Sequence, residues 1–274
     1  MTTTGGEPGA SSQINYLLLA KITSFSYDRT ERSRAIDTSI FSSLPLPLTI
    51  GVIGDFHGSS KREARKLFLA EARPDAILQV GDLQDYEDWP VPTLFVHGNH
   101  ESYQTIAAMD AGDYTPRNLV HLLDAQLVEL GGLQIAGLGG IWLDYPSPRA
   151  LDQGAYEELA DLACDIVISH DTPIHFRDGQ VEKTCEPLRT LCQVMEPRFW
   201  FSGHHHYYDT EQLGRTQIVS LGKFPHEWGI LEIATDGSLA FSRFVPENRV
   251  NYERQLIHWR EMAKEQKDKI NRQL

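Results

Sequence analysis

The feature that most constrains this chain is a series of short apolar runs, each followed by a residue able to bind a metal or move a proton, in most cases directly after a glycine. The runs lie at Leu48–Ile53, Ala76–Val80, Thr93–Val96, Asp165–Ile168 and Phe199–Phe201. Segments this short, apolar throughout and bounded by turn residues, suit strands buried on both faces. Between the first two, Ser59–Ala72 carries Ala64, Leu67, Phe68 and Ala70 at helical spacing, so a βαβ unit with parallel strands is expected. A second set of runs reads differently. Gln126–Leu130 and Leu133–Leu138 are joined by Gly131-Gly132, and Gly229–Ala234 and Ser238–Phe244 by Thr235-Asp236-Gly237, which are hairpin signals. With Thr216–Leu221 they predict another sheet, mainly antiparallel, packed face to face on the first. The expected fold class is α/β, a four-layer α/β/β/α sandwich of two mixed β-sheets flanked by helices.

At 274 residues the chain can bury a large core without disulfides, and it reads as one domain with extensions. Residues 1–47 form an N-terminal extension whose first part, rich in Thr, Gly and Ser, is expected to be disordered. The domain itself is placed at 48–245. Over 246–274, Tyr252, Leu256, Trp259 and Ala263 recur at i, i+4, i+7 and i+11, and Ile270 and Leu274 extend the stripe. This predicts an amphipathic C-terminal helix, suited to docking on the domain's own surface or to pairing with a partner or a second copy of the chain.

No apolar run approaches the roughly 18 residues of a membrane span, so no membrane partner is expected. The stretch at Tyr16–Ala20 has no basic segment ahead of it, and Cys164, Cys185 and Cys192 are too few and too scattered for a disulfide framework. A cytoplasmic location with free thiols follows. The formal charge of −13 excludes broad binding to polyanions, because such binding draws on Lys and Arg. An anionic substrate would need a local positive device, and divalent cations held by carboxylates would supply one.

The strand ends provide the ligands. In open α/β sheets the ligand crevice lies at the carboxyl ends of the strands, so five sequence-distant motifs are expected to converge. They are Gly54-Asp55-Phe56-His57, Gly81-Asp82-Leu83-Gln84-Asp85, Gly98-Asn99-His100-Glu101, Ser169-His170-Asp171 and Gly203-His204-His205-His206. In extended chain, Asp55 and His57 project to one side, as do His204 and His206, with His205 turned the other way and read as lying behind the ligands. Asp82 has two oxygens with which to bridge a pair of cations. Glycines ahead of Asp55, Asp82, Asn99 and His204 suit a backbone that must turn sharply and approach the ions closely. A shell of imidazoles and carboxylates favours manganese, iron, zinc or nickel over calcium, and over magnesium. His97 reads as structural.

This ordered set resembles the calcineurin-like metallophosphoesterase superfamily, whose pattern runs Asp-x-His, Gly-Asp-x-x-Asp, Gly-Asn-His-Asp/Glu, a lone His after a strand, and Gly-His-x-His. The likeness covers about residues 48–245. It implies two divalent metal ions, one held by Asp55, His57, Asp82 and His206 and the other by Asp82, Asn99, His170 and His204. It also matches His100 to the family's proton-donating histidine, with Asp85 as the carboxylate that orients it. The implied reaction is phosphoester hydrolysis by a hydroxide bridging the metals, with His100 as general acid to the leaving group. The Asp-Arg-Gly continuation of protein Ser/Thr phosphatases is absent, since Asp85 is followed by Tyr86-Glu87, and no phosphate-gripping arginine is assigned. Asp165–Pro173 and Gly137–Ile141 resemble segments of RNA lariat-debranching enzymes, although those enzymes commonly carry Cys at the position of Asp55. A phosphodiesterase acting on a nucleotide or nucleic acid is therefore the expectation. A phosphomonoesterase of the same fold and a metal-binding, non-catalytic interaction module are the competing readings.

Overall fold

The structure, a computed structural model, describes residues 37–58, 61–174 and 185–246, together with the backbone of 176–178 and 181–183. The expected C-terminal helix lies outside the described residues, as does the first part of the N-terminal extension. In chain order the elements are α1 (Ser39–Ser42), β1 (Leu48–Ile53), α2 (Arg62–Ala72), β2 (Ala76–Gln79), β3 (Thr93–Phe95), α3 (Tyr103–Asp110), β4 (Leu119–His121), β5 (Leu127–Leu130), β6 (Leu133–Leu138) and α4 (Gln153–Ala160). They continue with β7 (Ile166–Ser169), β8 (Phe176–Asp178), β9 (Val181–Lys183), α5 (Glu186–Met195), β10 (Phe199–Ser202), β11 (Asp209–Leu213), β12 (Thr216–Ser220), β13 (Trp228–Ile233) and β14 (Leu239–Phe244).

Two six-stranded sheets carry the fold, with orders β14-β13-β1-β2-β3-β4 and β11-β12-β10-β7-β6-β5. Strands β1 to β4 run parallel, and β13 and β14 extend their sheet antiparallel past β1. In the other sheet β12, β10, β7 and β6 run parallel, with β11 and β5 antiparallel at the two edges. The expected split into a ligand-bearing parallel sheet and a separate antiparallel one is thus corrected. Each sheet has a parallel portion, and each hairpin extends an edge of one of them. A hairpin turn dictates which two strands pair locally; it does not dictate which sheet they join. At Gly131-Gly132 that turn has φ of 58° and 80°, the left-handed pair that a two-residue hairpin loop requires.

Period-two alternation builds the layers. Leu48, Ile50 and Val52 of β1, with Leu78, Leu94, Ile166, Ile168, Phe199, Phe201 and Val219, fill the core between the sheets. Ile53, Ile77 and Phe95 face the other way and pack with Phe56, Ala64 and Phe68 under α2, and with Ile106 of α3. Gly51 lies beneath the Phe68 ring, where a Cβ would come within 2.4 Å of Cζ. On the far side, Ala136, Val167, Trp200 and Ile218 pack with Leu159 of α4 and with Leu188 and Leu191 of α5. The result is helix, sheet, sheet, helix. Phe41 of α1, in the N-terminal extension, is fully buried in the inter-sheet core, so the folded unit begins ahead of residue 48. Among the described residues no helix is long and apolar enough to cross a membrane.

Candidate metal centre

The carboxyl ends of β1, β2 and β3 in one sheet and of β7 and β10 in the other meet at one edge of the sandwich, and each delivers one of the five motifs. The backbone there is strained in a consistent way. His57, Asp82, His204 and His206 all have positive φ, at 54°, 55°, 70° and 61°. Such residues leave the extended path sharply, at a cost of order 1 kcal/mol or more each. The glycines between them are spacers. A Cβ on Gly81 would lie 2.3 Å from His170 Nδ1, one on Gly98 2.2 Å from Asp82 Oδ1, and one on Gly203 2.8 Å from Asp55 Oδ2. Each of these three glycines therefore makes room for another motif's side chain.

Asp55 is fully buried. Its Oδ2 accepts a hydrogen bond of 3.1 Å from the His204 backbone N–H, while its Oδ1 has no hydrogen-bond partner. His206 Nε2 lies 3.2 Å from that orphaned oxygen without the alignment of a hydrogen bond, and it faces His57 Nε2 at 3.1 Å. Two imidazole nitrogens and a bare carboxylate oxygen thus converge within 4.8 Å, a donor set that fits a cation.

A second convergence adjoins it. His170, fully buried, places Nδ1 2.9 Å from the Val80 carbonyl, which can only accept, so Nδ1 carries a proton and Nε2 is the nitrogen turned into the site. That Nε2 faces Asn99 Oδ1 at 2.8 Å and Asp82 Oδ1 at 3.5 Å, and Asp55, Asp82 and His170 form a three-ligand group. Asp82 turns Oδ1 toward His170 and Oδ2 toward His57, the latter at 3.9 Å from Nε2. It stands between the two convergences.

Electrostatics favours the ligand form of Asp55, His57 and His204. Burial alone would raise the Asp55 carboxyl, but the imidazoles of His206, His170 and His57 offset this and hold it below its ordinary value. Burial lowers His57, and burial with the neighbouring His170 lowers His204 to about 4. Ionised carboxylates and neutral imidazoles are the forms that bind metals.

Residues 48–208 match the calcineurin-like phosphoesterase family, more than half of the chain. The chain belongs to that family. Among curated relatives of this calcineurin-like phosphoesterase, the lariat debranching enzyme of Saccharomyces cerevisiae is 25% identical over 212 residues, covering 61% of this chain and 51% of the relative. That of Entamoeba histolytica is 25% identical over 193 residues, covering 56% of this chain and 54% of the relative. The chain spans about half the length of these relatives. The fold recurs in a solved structure with a TM-score of 0.57 at 15% identity, covering 73% of this chain and all of the other. It recurs also in GAP50, the anchor in the inner membrane complex of Plasmodium, with a TM-score of 0.52 at 14% identity over 73% of this chain and 85% of that one.

In this family member Asp55, His57, Asp82, Asn99, His170 and His206 lie together at one edge of the sandwich. Two placements differ from the expectation. With φ of 70° at His204, strand alternation fails, and His204 and His205 project to the same side, their ring centroids 4.6 Å apart. Asp171, His204 and His205 form a group of their own, while the His204 ring stays 5.1 Å from that of His170. His100 is exposed, its backbone N–H held at 2.8 Å by Asp82 Oδ1 and its carbonyl gripped by the Gln84 side-chain amide. Asp85, the carboxylate matched to orienting it, is instead committed elsewhere. Arg62 Nη2 donates to its Oδ1 at 2.6 Å and Arg65 Nη1 to its Oδ2 at 3.3 Å.

The reading of the residues passed over Glu101, although its motif was in view. It is half-buried, and desolvation raises its carboxyl. Its Oε1 accepts from Leu83 N at 2.8 Å and Gly98 N at 3.3 Å, and its Oε2 from Gln84 N at 3.1 Å and the Tyr86 hydroxyl. One side chain thereby ties the Asp82 loop to the Asn99 loop.

Proposed function

We propose that the chain is a binuclear metal-dependent phosphodiesterase. The observation that carries this is the buried, unpartnered Asp55 Oδ1 facing two imidazole nitrogens, next to a second donor group of Asp55, Asp82 and His170. In our reading Asp55, His57, Asp82 and His206 hold one divalent ion, and Asp82, Asn99, His170 and His204 hold the other, with Asp82 as the bridge. Two such ions, when bound, lower the pKa of a shared water and offset the charge of the phosphoryl oxygens.

The chain's own residues do the rest. The proton on His170 Nδ1 stays with the Val80 carbonyl, which fixes the ring and its free nitrogen. Gly81, Gly98 and Gly203 let the ligands close on one another. His100, at the exposed lip, is positioned to give a proton to the departing alkoxide, and its placement comes from Asp82 and Gln84 through its backbone. Asp85 acts a step further back, fixing α2 against this loop through Arg62 and Arg65. The named activity of the debranching relatives supports a nucleotide or nucleic acid diester as substrate, and the charge of −13 supports contact with a short segment of it. Free thiols at Cys164, Cys185 and Cys192 support a reducing, cytoplasmic setting.

The test is hydrolysis of bis-p-nitrophenyl phosphate against p-nitrophenyl phosphate by manganese-loaded protein. A diester preference is expected. A monoester preference would replace this reading with a phosphomonoesterase, and turnover of neither, with metal bound, would leave the non-catalytic module.

A further inference from the structure

Beside the metal centre lies a cleft of about 570 Å³ to which no ligand is assigned above. Arg62, Gln84, Glu87, Gln104, Thr105 and Tyr114 line it. It adjoins the catalytic edge through Gln84, the residue whose amide grips the His100 carbonyl. The volume lies in the range of small-molecule sites.

Its chemistry is selective. Arg62 is spent on Asp85 at 2.6 Å and on Glu87 at 2.8 Å, and Arg65 also pairs with Asp85, so the cation lining the cleft is already matched by carboxylates. A phosphate would find no free cation there. Tyr114 presents a ring that remains 39% exposed although its hydroxyl is pinned at 2.7 Å to the Tyr86 carbonyl. A fixed, exposed aromatic face beside the side-chain amides of Gln84 and Gln104 is suited to a flat, uncharged heterocycle: the ring stacks, and each amide supplies both a donor and an acceptor.

We propose that this cleft binds the nucleoside on the leaving-group side of a phosphodiester, its base stacked on Tyr114 and its departing oxygen toward His100. The proposal rests on the diesterase reading above. It also accounts for a lining whose charges are already paired, because the nucleoside brings no charge once the phosphate stays with the metals.

Two measurements test it. In the first, kcat/KM is measured for a dinucleoside monophosphate and for bis-p-nitrophenyl phosphate, and their ratio is compared across variants. Tyr114→Ala is expected to lower the ratio by about 5- to 150-fold, the worth of one base on one aromatic ring. Gln104→Ala, an exposed α3 position that keeps the fold safe, is expected to lower it less. A ratio unmoved in both variants overturns the proposal. In the second, adenosine is titrated into the unaltered protein and the Tyr114→Ala variant, followed by NMR, with ribose 5-phosphate as the comparison. Binding of adenosine that the variant loses supports the site; no adenosine binding, or stronger binding of ribose 5-phosphate, overturns it. Because this arm needs no turnover, a failure of the diesterase reading and a failure of the nucleoside site are told apart.

Discussion

Gly81→Ala puts the interlocking of the motifs to a quantitative test. Gly81 has φ of 93°, and a side chain there costs about 1–2 kcal/mol in backbone strain alone. Its Cβ would also sit 2.3 Å from His170 Nδ1, and His170 is fully buried with nowhere to retreat. The ring must move, and the bond of 2.9 Å to the Val80 carbonyl is lost, about 0.5–1.5 kcal/mol more. The combined loss of about 1.5–3.5 kcal/mol corresponds to a fall in Tm of about 3–14 °C for a domain of this size. Gly132→Ala is the control: φ is 80°, but nothing lies within 4 Å of its Cβ, so only the strain is incurred. Metal affinity separates the two variants, because His170 loses the partner that fixes its tautomer. Calorimetric titration should show Gly81→Ala about 10–100-fold weaker for manganese, and Gly132→Ala close to the unaltered protein. Equal affinities in the two variants would refute the claim that this glycine holds the space for His170.

The remaining expectations concern proton transfer, the loops and the core. His100→Ala should retain its metal content while kcat on a dinucleoside monophosphate falls by about 10²–10⁴-fold, with a smaller loss on nitrophenyl esters, whose leaving group needs no proton; equal losses on both would remove His100 as the acid. Asp85→Asn breaks the pairing with Arg65, whose side chain is only 11% exposed, and should cost about 3–5 kcal/mol in urea denaturation. Glu101→Gln retains one acceptor oxygen and should destabilise by about 1–3 kcal/mol, seen in the same assay, as the Asp82 and Asn99 loops lose part of their tie. Phe56→Ala, fully buried between Phe224 and Trp89 at ring distances of 5.2 and 5.5 Å, should lose about 3–5 kcal/mol in that assay.

Strand order and ligand identity were differently legible in the sequence. The apolar runs located β1, β2, β3, β7 and β10 to within a residue or so, because burial on both faces leaves an uninterrupted hydrophobic signature. The same runs carried no information on which sheet each joins, since inter-sheet packing is a long-range choice among similar faces. Helices α3 and α4 went unread: both are short, and each is capped by a side chain, Ser102 and Asp152, whose signal is local and common. Strand β11 is mostly polar and sits at an edge, so it lacks the alternation by which a strand is recognised. At the site, five motifs were visible because metal chemistry demands particular residue types. The alternation argument failed at His204 because a positive φ redirects the side chain, a property of the loop that spacing cannot express. The commitment of Asp85 to Arg62 and Arg65 was hidden for a related reason, since those arginines belong to α2, ahead of the motif.

In our reading two donor sets with Asp82 in common would hold two cations, and metal content tests this most directly. Protein loaded with manganese and exhaustively dialysed is analysed by inductively coupled plasma mass spectrometry, beside His206→Ala and His170→Ala. The account predicts about two ions per chain for the unaltered protein, and in each variant loss of the ion whose ligand was removed. No retained metal, or a stoichiometry that neither substitution changes, would contradict it.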